Sequence, residues 1–358
     1  MSVYQESIAL TRSFTFCPNA FRVDMYRGCD FGCKYCFANM EIFNQQQAGE
    51  ADIEKLKRKF RIALETDKKR KDVLIELIRH RVPLHCGGMS DPFQSREWEL
   101  RLTYKLIELC NKYDYPITFS TKTDIIPENY FMILNPKLHA FQSSIMGWSD
   151  KYIKTWETNT PSAKSRLKFL KMMRERGFWH SIRIQPIIDI TEVLNLLENA
   201  FLITTPSYIT VEHLKCINNA NKALQAYRDH CNNKEDFCYT SSKKLEFKKA
   251  IKIQNIEKIK AIANKHNVLV GVGDNDLHDM TQSRNCCGID TAGKAFQNYL
   301  KYNVTYLSTG DVEDDIFIPK CNCRKHINDQ KFGNYIDFKE YTDAYIERHR
   351  LNKQSSLF

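Results

Sequence analysis

The sequence predicts an α/β fold built on a parallel sheet, either open or closed into a barrel. Seven short apolar runs read as strands, and segments with helical periodicity separate most of them. Alternation at this spacing is the signature of parallel strands joined by crossover helices. The length of 358 residues, with 42% hydrophobic and 27% charged, allows one large domain or two medium ones with an ample core.

The strand runs are 21–26, 83–86, 117–120, 140–145, 181–188, 208–214 and 268–272. Of the helical segments, 97–111 places Trp98, Leu102, Leu106 and Leu109 on one stripe. A second, 162–176, repeats the style with Leu167, Leu170 and Met173 and stops at Gly177. The run 55–71 carries nine basic residues, yet Leu56, Phe60 and Leu64 thread an apolar stripe through it. A solvated outer face of a barrel helix is the preferred reading, with a phosphate-tracking surface as the alternative. The alternation breaks after Leu214. Residues 216–254 are polar and Lys-rich and read as a helical insertion, so a boundary is placed near residue 215. Residues 1–215 form the core, and 216–358 form the insertion plus a cysteine-containing C-terminal extension packed on it.

Aromatic content and modest Gly and Pro counts exclude disorder, collagen and coiled coil. No apolar run approaches the roughly 20 residues of a membrane-spanning helix. The N-terminus has no apolar signal core, and mean hydropathy is −0.49, so a soluble, cytoplasmic protein is expected. The net charge of +10, with pI about 8.9, suits an anionic partner such as nucleic acid without demanding one. Thirteen cysteines in a reducing compartment point to metal ligation or redox work before disulfides.

The strongest signal is Tyr26-Arg-Gly-Cys29-Asp-Phe-Gly-Cys33-Lys-Tyr35-Cys36-Phe37. Three thiolates at spacings of four and three can converge in one tight loop, and thiolates select iron–sulfur clusters or zinc. A closed structural site normally has four ligands, so three leave a position open for a substrate or cofactor. The alternative is a zinc knuckle whose fourth ligand is distant, Cys17 or His80.

This loop, with an aromatic residue just before its third cysteine, resembles that of radical S-adenosylmethionine (SAM) enzymes. Tyr-Arg-Gly-Cys, Tyr-Cys-Phe-Ala and the later Gly87-Gly88-Met89-Ser90-Asp91-Pro92-Phe93-Gln94 with Glu97 are similar to the spore photoproduct lyase-like ("DNA repair photolyase"-like) branch. Ser-Thr-Lys at 120–122, Ser143-Ser144, Glu157-Thr158 before Arg166, and Gln185-Pro186-Ile187-Ile188 follow in that branch's order, over roughly residues 16–215. The resemblance implies a partial (β/α)6 TIM-type barrel with a C-terminal α-rich extension. It implies that Cys29, Cys33 and Cys36 hold a 4Fe-4S cluster that binds SAM and cleaves it to a 5′-deoxyadenosyl radical. An external one-electron donor of flavodoxin or ferredoxin type is implied as well.

Further residues follow from that placement. Gly87 and Gly88 expose backbone to the SAM amino group, or form a plain turn. Ser90 and Asp91 share their loop, where Asp91 can instead cap a helix near Gln94. Lys122 is placed to pair with the SAM carboxylate, Ser144 to reach the ribose, and Gln185 the adenine. Tyr35 flanks the cluster. Arg183 shares the period-2 face of Gln185 and is expected to point inward with it.

The branch's namesake keeps a hydrogen-donating cysteine close to its Ser-Asp motif. Here the nearest is Cys86, a candidate relay or a core residue. Cys286, Cys287, Cys321 and Cys323 supply thiols for a second iron–sulfur cluster or a zinc site. Cys110, Cys216, Cys231 and Cys238 read as packing residues in helices. The sequence therefore predicts a radical SAM enzyme acting on a nucleic-acid base or lesion. The alternatives are modification of a peptide or small metabolite, and a zinc- or cluster-bearing nucleic-acid-binding protein.

Overall fold

One eight-stranded sheet organises the fold. In this computed structural model, residues 2–4, 7–10, 19, 21–39, 49–67, 72–216, 221–240, 244–274, 276–283, 285–300, 312–313 and 316–317 are described. Strands β1 (Ser2–Tyr4), β2 (Ile8–Leu10), β3 (Phe21–Val23), β4 (Tyr26–Arg27) and β5 (Gly49–Ala51) open the chain. Then come β6 (Leu84–Cys86), β7 (Ile117–Thr121), β8 (His139–Ser144), β9 (Trp179–Ile187) and β10 (Tyr208–His213). Short β11 (Lys215–Cys216), β12 (Phe237–Tyr239) and β13 (Leu245–Phe247) precede β14 (Val270–Val272).

The central sheet runs β14-β10-β9-β8-β7-β6-β3-β2. All its pairings are parallel except β2 against β3. This is the expected partial (β/α)6 TIM-type barrel. The sheet continues past residue 215, because β14 pairs in parallel with β10 through Ile209↔Val270 and Val211↔Val272.

The crossovers hold α1 (Ile53–Glu65), α2 (Val73–Arg79), α3 (Glu97–Leu100), α4 (Leu102–Lys112), α5 (Asp150–Trp156), α6 (Ala163–Glu175) and α7 (Ile190–Ile203). After β10 follow α8 (Asn221–His230) and α9 (Lys249–Lys265). Polar side chains start several of these helices. Asp52 accepts from the Lys55 amide, Ser162 from Ser165 and Asp189 from Thr191, each satisfying an N-terminal N–H that has no partner in its own helix. Between β7 and β8 a 3-10 turn, Glu128–Met132, replaces the α-helix.

Alternation along each strand sorts side chains to two faces. Phe119 and Phe141 pack outward with Phe93 and Phe169, while Ile182, Ile184, Ile209 and Val211 meet Leu167, Val193 and Ile259. The opposite, inner face is polar: His85, Thr118, Ser120, Gln142, Ser181, Arg183 and Thr210 stand in matched register. Residues 285–291 lie against its strand N-termini. Tyr208 donates to the Asn285 carbonyl at 2.9 Å, Gln142 to the Cys287 carbonyl at 3.5 Å, and Trp179 to Thr291 at 2.9 Å.

Four expectations change. The run 21–26 divides into β3 and β4, which belong to different sheets, because Asp24 turns inward to bind the loop after β6. The helix predicted over 97–111 breaks at Arg101, whose φ is +51°. There the buried Glu97 carboxylate turns onto the amides of Thr103 and Tyr104, 2.9 Å each, and caps α4, where a negative charge is favourable. Trp98 leaves the apolar stripe and is 51% exposed, while Leu102, Leu106 and Leu109 are buried as expected. Residues 216–254 are not wholly helical, since β11, β13 and β12 form an antiparallel sheet. Cys216 and Cys238 lie in those strands, Cys216 buried and Cys238 exposed.

Helix α1 keeps the reading of a solvated face, with Leu56, Phe60 and Ala63 buried. Its outer side and that of α4 border a surface cleft of about 630 Å³ in which Lys55, Arg58, Arg61 and Lys105 mix with Glu54 and Glu108. None of its lining residues belongs to the cysteine loop.

Glu97 also accepts from the hydroxyls of Tyr26 and Tyr130. Glu97→Ala strands two buried hydroxyls and two amides. It should cost about 3 kcal/mol in urea unfolding, and a loss below about 1 kcal/mol would contradict the capping role.

Candidate active site

The cysteine loop leaves β4 through Gly28 at φ +81° and turns at Gly32, φ +66°, conformations that side-chain-bearing residues resist. It is tied down at both flanks. Glu157 forms a backbone bridge with Cys33, Lys34 donates to the Trp156 carbonyl at 2.9 Å, and Asn159 to the Phe31 carbonyl at 3.1 Å. On the other side Gln94 reaches the Gly28 carbonyl at 3.1 Å, and the Ser95 amide reaches Asp30 at 2.8 Å.

Burial pushes the Cys29 thiol up to about 12, aided by the nearby Asp91 charge. Burial raises Cys33 further, against the pull of the Lys122 ammonium. The charges of Cys29 and Cys36 act on Cys33, and that of Cys36 on Cys29, so the three sulfurs lie within electrostatic reach of one another. Three thiols on one loop, Cys29 and Cys33 desolvated and all three mutually repelling once ionised, suit a cationic iron–sulfur centre, because bound iron removes the cost of ionising them. Among the described residues, no three His, Cys, Asp or Glu side chains converge closely enough for a single metal ion.

Behind Cys33 lies a buried charge cluster. Glu157 has no exposed surface, and Arg166 donates to it at 2.7 Å. The Tyr35 hydroxyl donates to the same carboxylate, and Lys122 Nζ lies 3.8 Å away. Burial raises the Glu157 carboxyl, but Arg166 and Lys122 more than offset it and hold the net value low. Burial opposes the Lys122 ammonium, yet the Cys33 and Glu157 charges leave it net raised. Lys122 also stands over the Tyr35 ring at 5.7 Å. Tyr35 thus joins the cluster as a donor to Glu157, and burial pushes its hydroxyl well up.

The loop after β6 is built around two aspartates. Asp24, ion-paired with Arg22, accepts from the amides of Met89 at 2.7 Å and Ser90 at 3.3 Å. Asp91 accepts from Thr121 Oγ1 at 2.8 Å and from the amides of Lys122 at 2.7 Å and Phe93 at 2.9 Å. Burial lifts its carboxyl to about 6 despite those donors. It organises the loop and caps no helix. Ser90 spends its hydroxyl on the Tyr26 carbonyl at 2.6 Å. A Cβ on Gly87 would meet the Ser120 carbonyl at 2.1 Å, and one on Gly88 the Arg22 side chain at 2.7 Å. These close approaches account for both glycines.

Ser144 ends β8 in register with Arg183, and Gln185 accepts from Arg183 Nε at 2.9 Å. Cys86 is not at the site. Its side chain is fully buried in the outer core beside β3 and β7, because the inner position on β6 belongs to His85. Cys286 and Cys287 place their sulfurs 3.7 Å apart, with Cys287 accepting from Asn19 at 3.8 Å. Cys321, Cys323 and Cys17 lie outside the described residues. Sequence reasoning did not place Glu157 and Arg166 in the site. Their order along the chain was visible, but not that two loops converge on one carboxylate.

With this geometry in hand, comparison with known proteins is direct. Residues 23–197 match the model of the Radical SAM superfamily. No curated protein matches the sequence. The fold is similar to a spore photoproduct lyase double mutant with bound AdoMet and dinucleoside spore photoproduct, at TM-score 0.55 and 15% identity over 76% of this chain and 80% of that one. It is likewise similar to spore photoproduct lyase complexed with dinucleoside spore photoproduct, at TM-score 0.56 and 14% identity over the same shares. The chain carries a radical SAM domain and is an enzyme of that class. The binding-protein alternative gives way.

The buried ion pair is open to test. Glu157→Ala leaves Arg166 buried and unpaired and should cost about 3–5 kcal/mol in chemical denaturation. The double substitution Glu157→Leu, Arg166→Met removes both charges and should cost far less. Equal losses would deny the pairing.

Proposed function

We propose that Cys29, Cys33 and Cys36 hold a 4Fe-4S cluster for SAM, and that the substrate is a nucleic-acid base or lesion. The observation that carries the first part is the three-cysteine loop pinned at the C-terminal ends of the strands beside Lys122. When bound, cluster and SAM supply one-electron cleavage to a 5′-deoxyadenosyl radical that takes a hydrogen atom from the substrate. The chain's own residues position and shield. Gly87, Gly88, Ser90 and Asp91 shape the wall for the SAM methionyl group, and Tyr35 and Lys122 close the side next to Cys33. Ser144 and Gln185 present polar atoms toward ribose and adenine. Lys122 is the cation for the SAM carboxylate, its contact with Glu157 being long at 3.8 Å.

The net charge of +10 and the dinucleoside ligand of the similar lyases favour nucleic acid. The second reading is a peptide or small metabolite. DNA or RNA binding that weakens steeply with salt separates them. We assign no hydrogen-donor role to Cys86, given its place in the outer core. We read residues 1–215 as the barrel core and 216–358 as insertion and extension. The expected setting is cytoplasmic, with a flavodoxin- or ferredoxin-type electron donor.

The test is anaerobic reconstitution, with iron and sulfide counted per chain and 5′-deoxyadenosine measured on reduction with SAM. About four irons with 5′-deoxyadenosine is the expected result; zinc without cleavage would overturn it. About eight irons would add a second centre at Cys286, Cys287, Cys321 and Cys323. In that case, replacing Cys286 and Cys287 together should lower the count. Cys33→Ala should abolish iron binding and cleavage. Lys122→Ala should weaken SAM binding with iron content intact, and undiminished SAM affinity would refute its role.

A further inference from the structure

Arg183 is treated unlike Arg166 and Arg22. Arg166 is neutralised by Glu157, and Arg22 by Asp24. Arg183, half-buried on the inner face, donates to neutral oxygens only: Ser120 Oγ at 3.0 Å, Gln142 Oε1 at 3.4 Å and Gln185 Oε1 at 2.9 Å. Among the described residues no carboxylate lies within ion-pair distance of it. A half-buried guanidinium without a counter-charge gives up part of its hydration for neutral acceptors alone, and so retains the capacity to take an anion.

A second, independent observation lies beside it. Ser181 and Thr210 are fully buried, and their hydroxyls have no hydrogen-bond partner. Ser181 is two residues before Arg183 on β9, and Thr210 pairs with Arg183 in register, so both share its face. One strand pair further along, Thr118 on β7 is orphaned in the same way. Buried hydroxyls are almost always satisfied. Unsatisfied hydroxyls on the same sheet face as an uncompensated cation describe a place for a polar, anionic group.

We propose that Arg183 and the hydroxyls of Ser181 and Thr210 form a substrate subsite for a monoanionic oxyanion, a carboxylate or a phosphodiester. Charge sets the valence: with Arg22 balanced by Asp24, Arg183 supplies one uncompensated positive charge. Geometry sets the mode. Gln185 Oε1 now takes Nε and Nη2, the edge of the guanidinium fork that binds an oxyanion through two parallel hydrogen bonds. An incoming oxyanion displaces this neutral acceptor and gains a charge-assisted pair. The proposal rests on the radical SAM reading only in placing substrate on the inner face of the barrel.

The experiment is calorimetric titration of the reconstituted full chain, without reductant. The phosphodiester probe is thymidylyl-thymidine against its uncharged methylphosphonate-linked analogue. The carboxylate probe is N-acetylglycine against its amide. One charged probe should bind about tenfold tighter than its neutral counterpart, and which one identifies the source of the oxyanion. Arg183→Gln should erase the preference, Arg183→Lys should retain part of it, and both should bind SAM within about twofold of wild type. Gln185→Ala frees the fork and should strengthen the preference, which tests the idea even if Arg183→Gln does not fold. No charge preference for either pair would overturn the proposal. So would a parallel loss of SAM affinity in Arg183→Gln, which would give Arg183 to the cofactor. Binding is read without turnover, so failure of SAM cleavage would sink the cluster reading and leave this result standing.

Discussion

The Glu157 carboxylate, with no surface in water, holds Arg166, Lys122 and Tyr35 about itself while its backbone bridges to Cys33. Burying one carboxylate is costly, and two cations and a hydroxyl offset that cost only when all are present in one geometry. The cysteine loop cannot shift without breaking the Lys34 and Cys33 contacts to the 156–157 backbone. A loop of nine residues, 28–36, with two left-handed glycines has little order of its own. Its rigidity comes from the wall it leans on.

That wall exists because the sheet keeps its two faces chemically apart. Apolar side chains face the helices, where Phe119, Phe141, Ile182 and Ile209 fill the core. Polar ones face inward, where His85, Ser120, Gln142, Arg183 and Gln185 form one hydrogen-bonded network across four strands. Register couples the two, since a slip by one residue would exchange core and network. Residues 285–291 lie against the strand N-termini, whereas Gly87, Lys122 and Ser144 stand at the C-terminal ends, where sites of such barrels are built.

The seven parallel strands of the eight-stranded sheet were legible as short runs rich in apolar residues, whereas the antiparallel three-residue β2 was not. The cysteine loop was legible for a different reason, since its residues are adjacent and their spacing alone carries the chemistry. The break at Arg101 was hidden. A carboxylate at Glu97 reads as an ordinary helix-start residue, and only tertiary packing shows it capping the following helix while accepting from Tyr26 and Tyr130. Cys86 was misplaced as a candidate relay because strand parity was not applied to it. His85 and Cys86 must face opposite ways, and the inner position went to His85. Parity applied to Arg183 and Gln185 did succeed. The antiparallel strands within 216–254 are three residues or fewer, too short to show a period.

The charge balance of the site connects these points. Around the loop lie two buried carboxylates, Asp91 and Glu157, and three thiols that are carboxylate-like once ionised. Against them stand Lys122 and Arg166, and Glu157 already engages both. Both nearby cations are thus already engaged by Glu157, and burial opposes the ionisation of Cys29 and Cys33. Burial disfavours these thiols as free nucleophiles, and a cationic centre bound there would bring the charge that favours their ionised form. Arg183 has the opposite imbalance, a cation without an anion, on the same inner face. Thiols whose charge is unmatched at the cysteine loop would therefore take a cationic guest, and Arg183, on the face of Ser181 and Thr210, an anionic one.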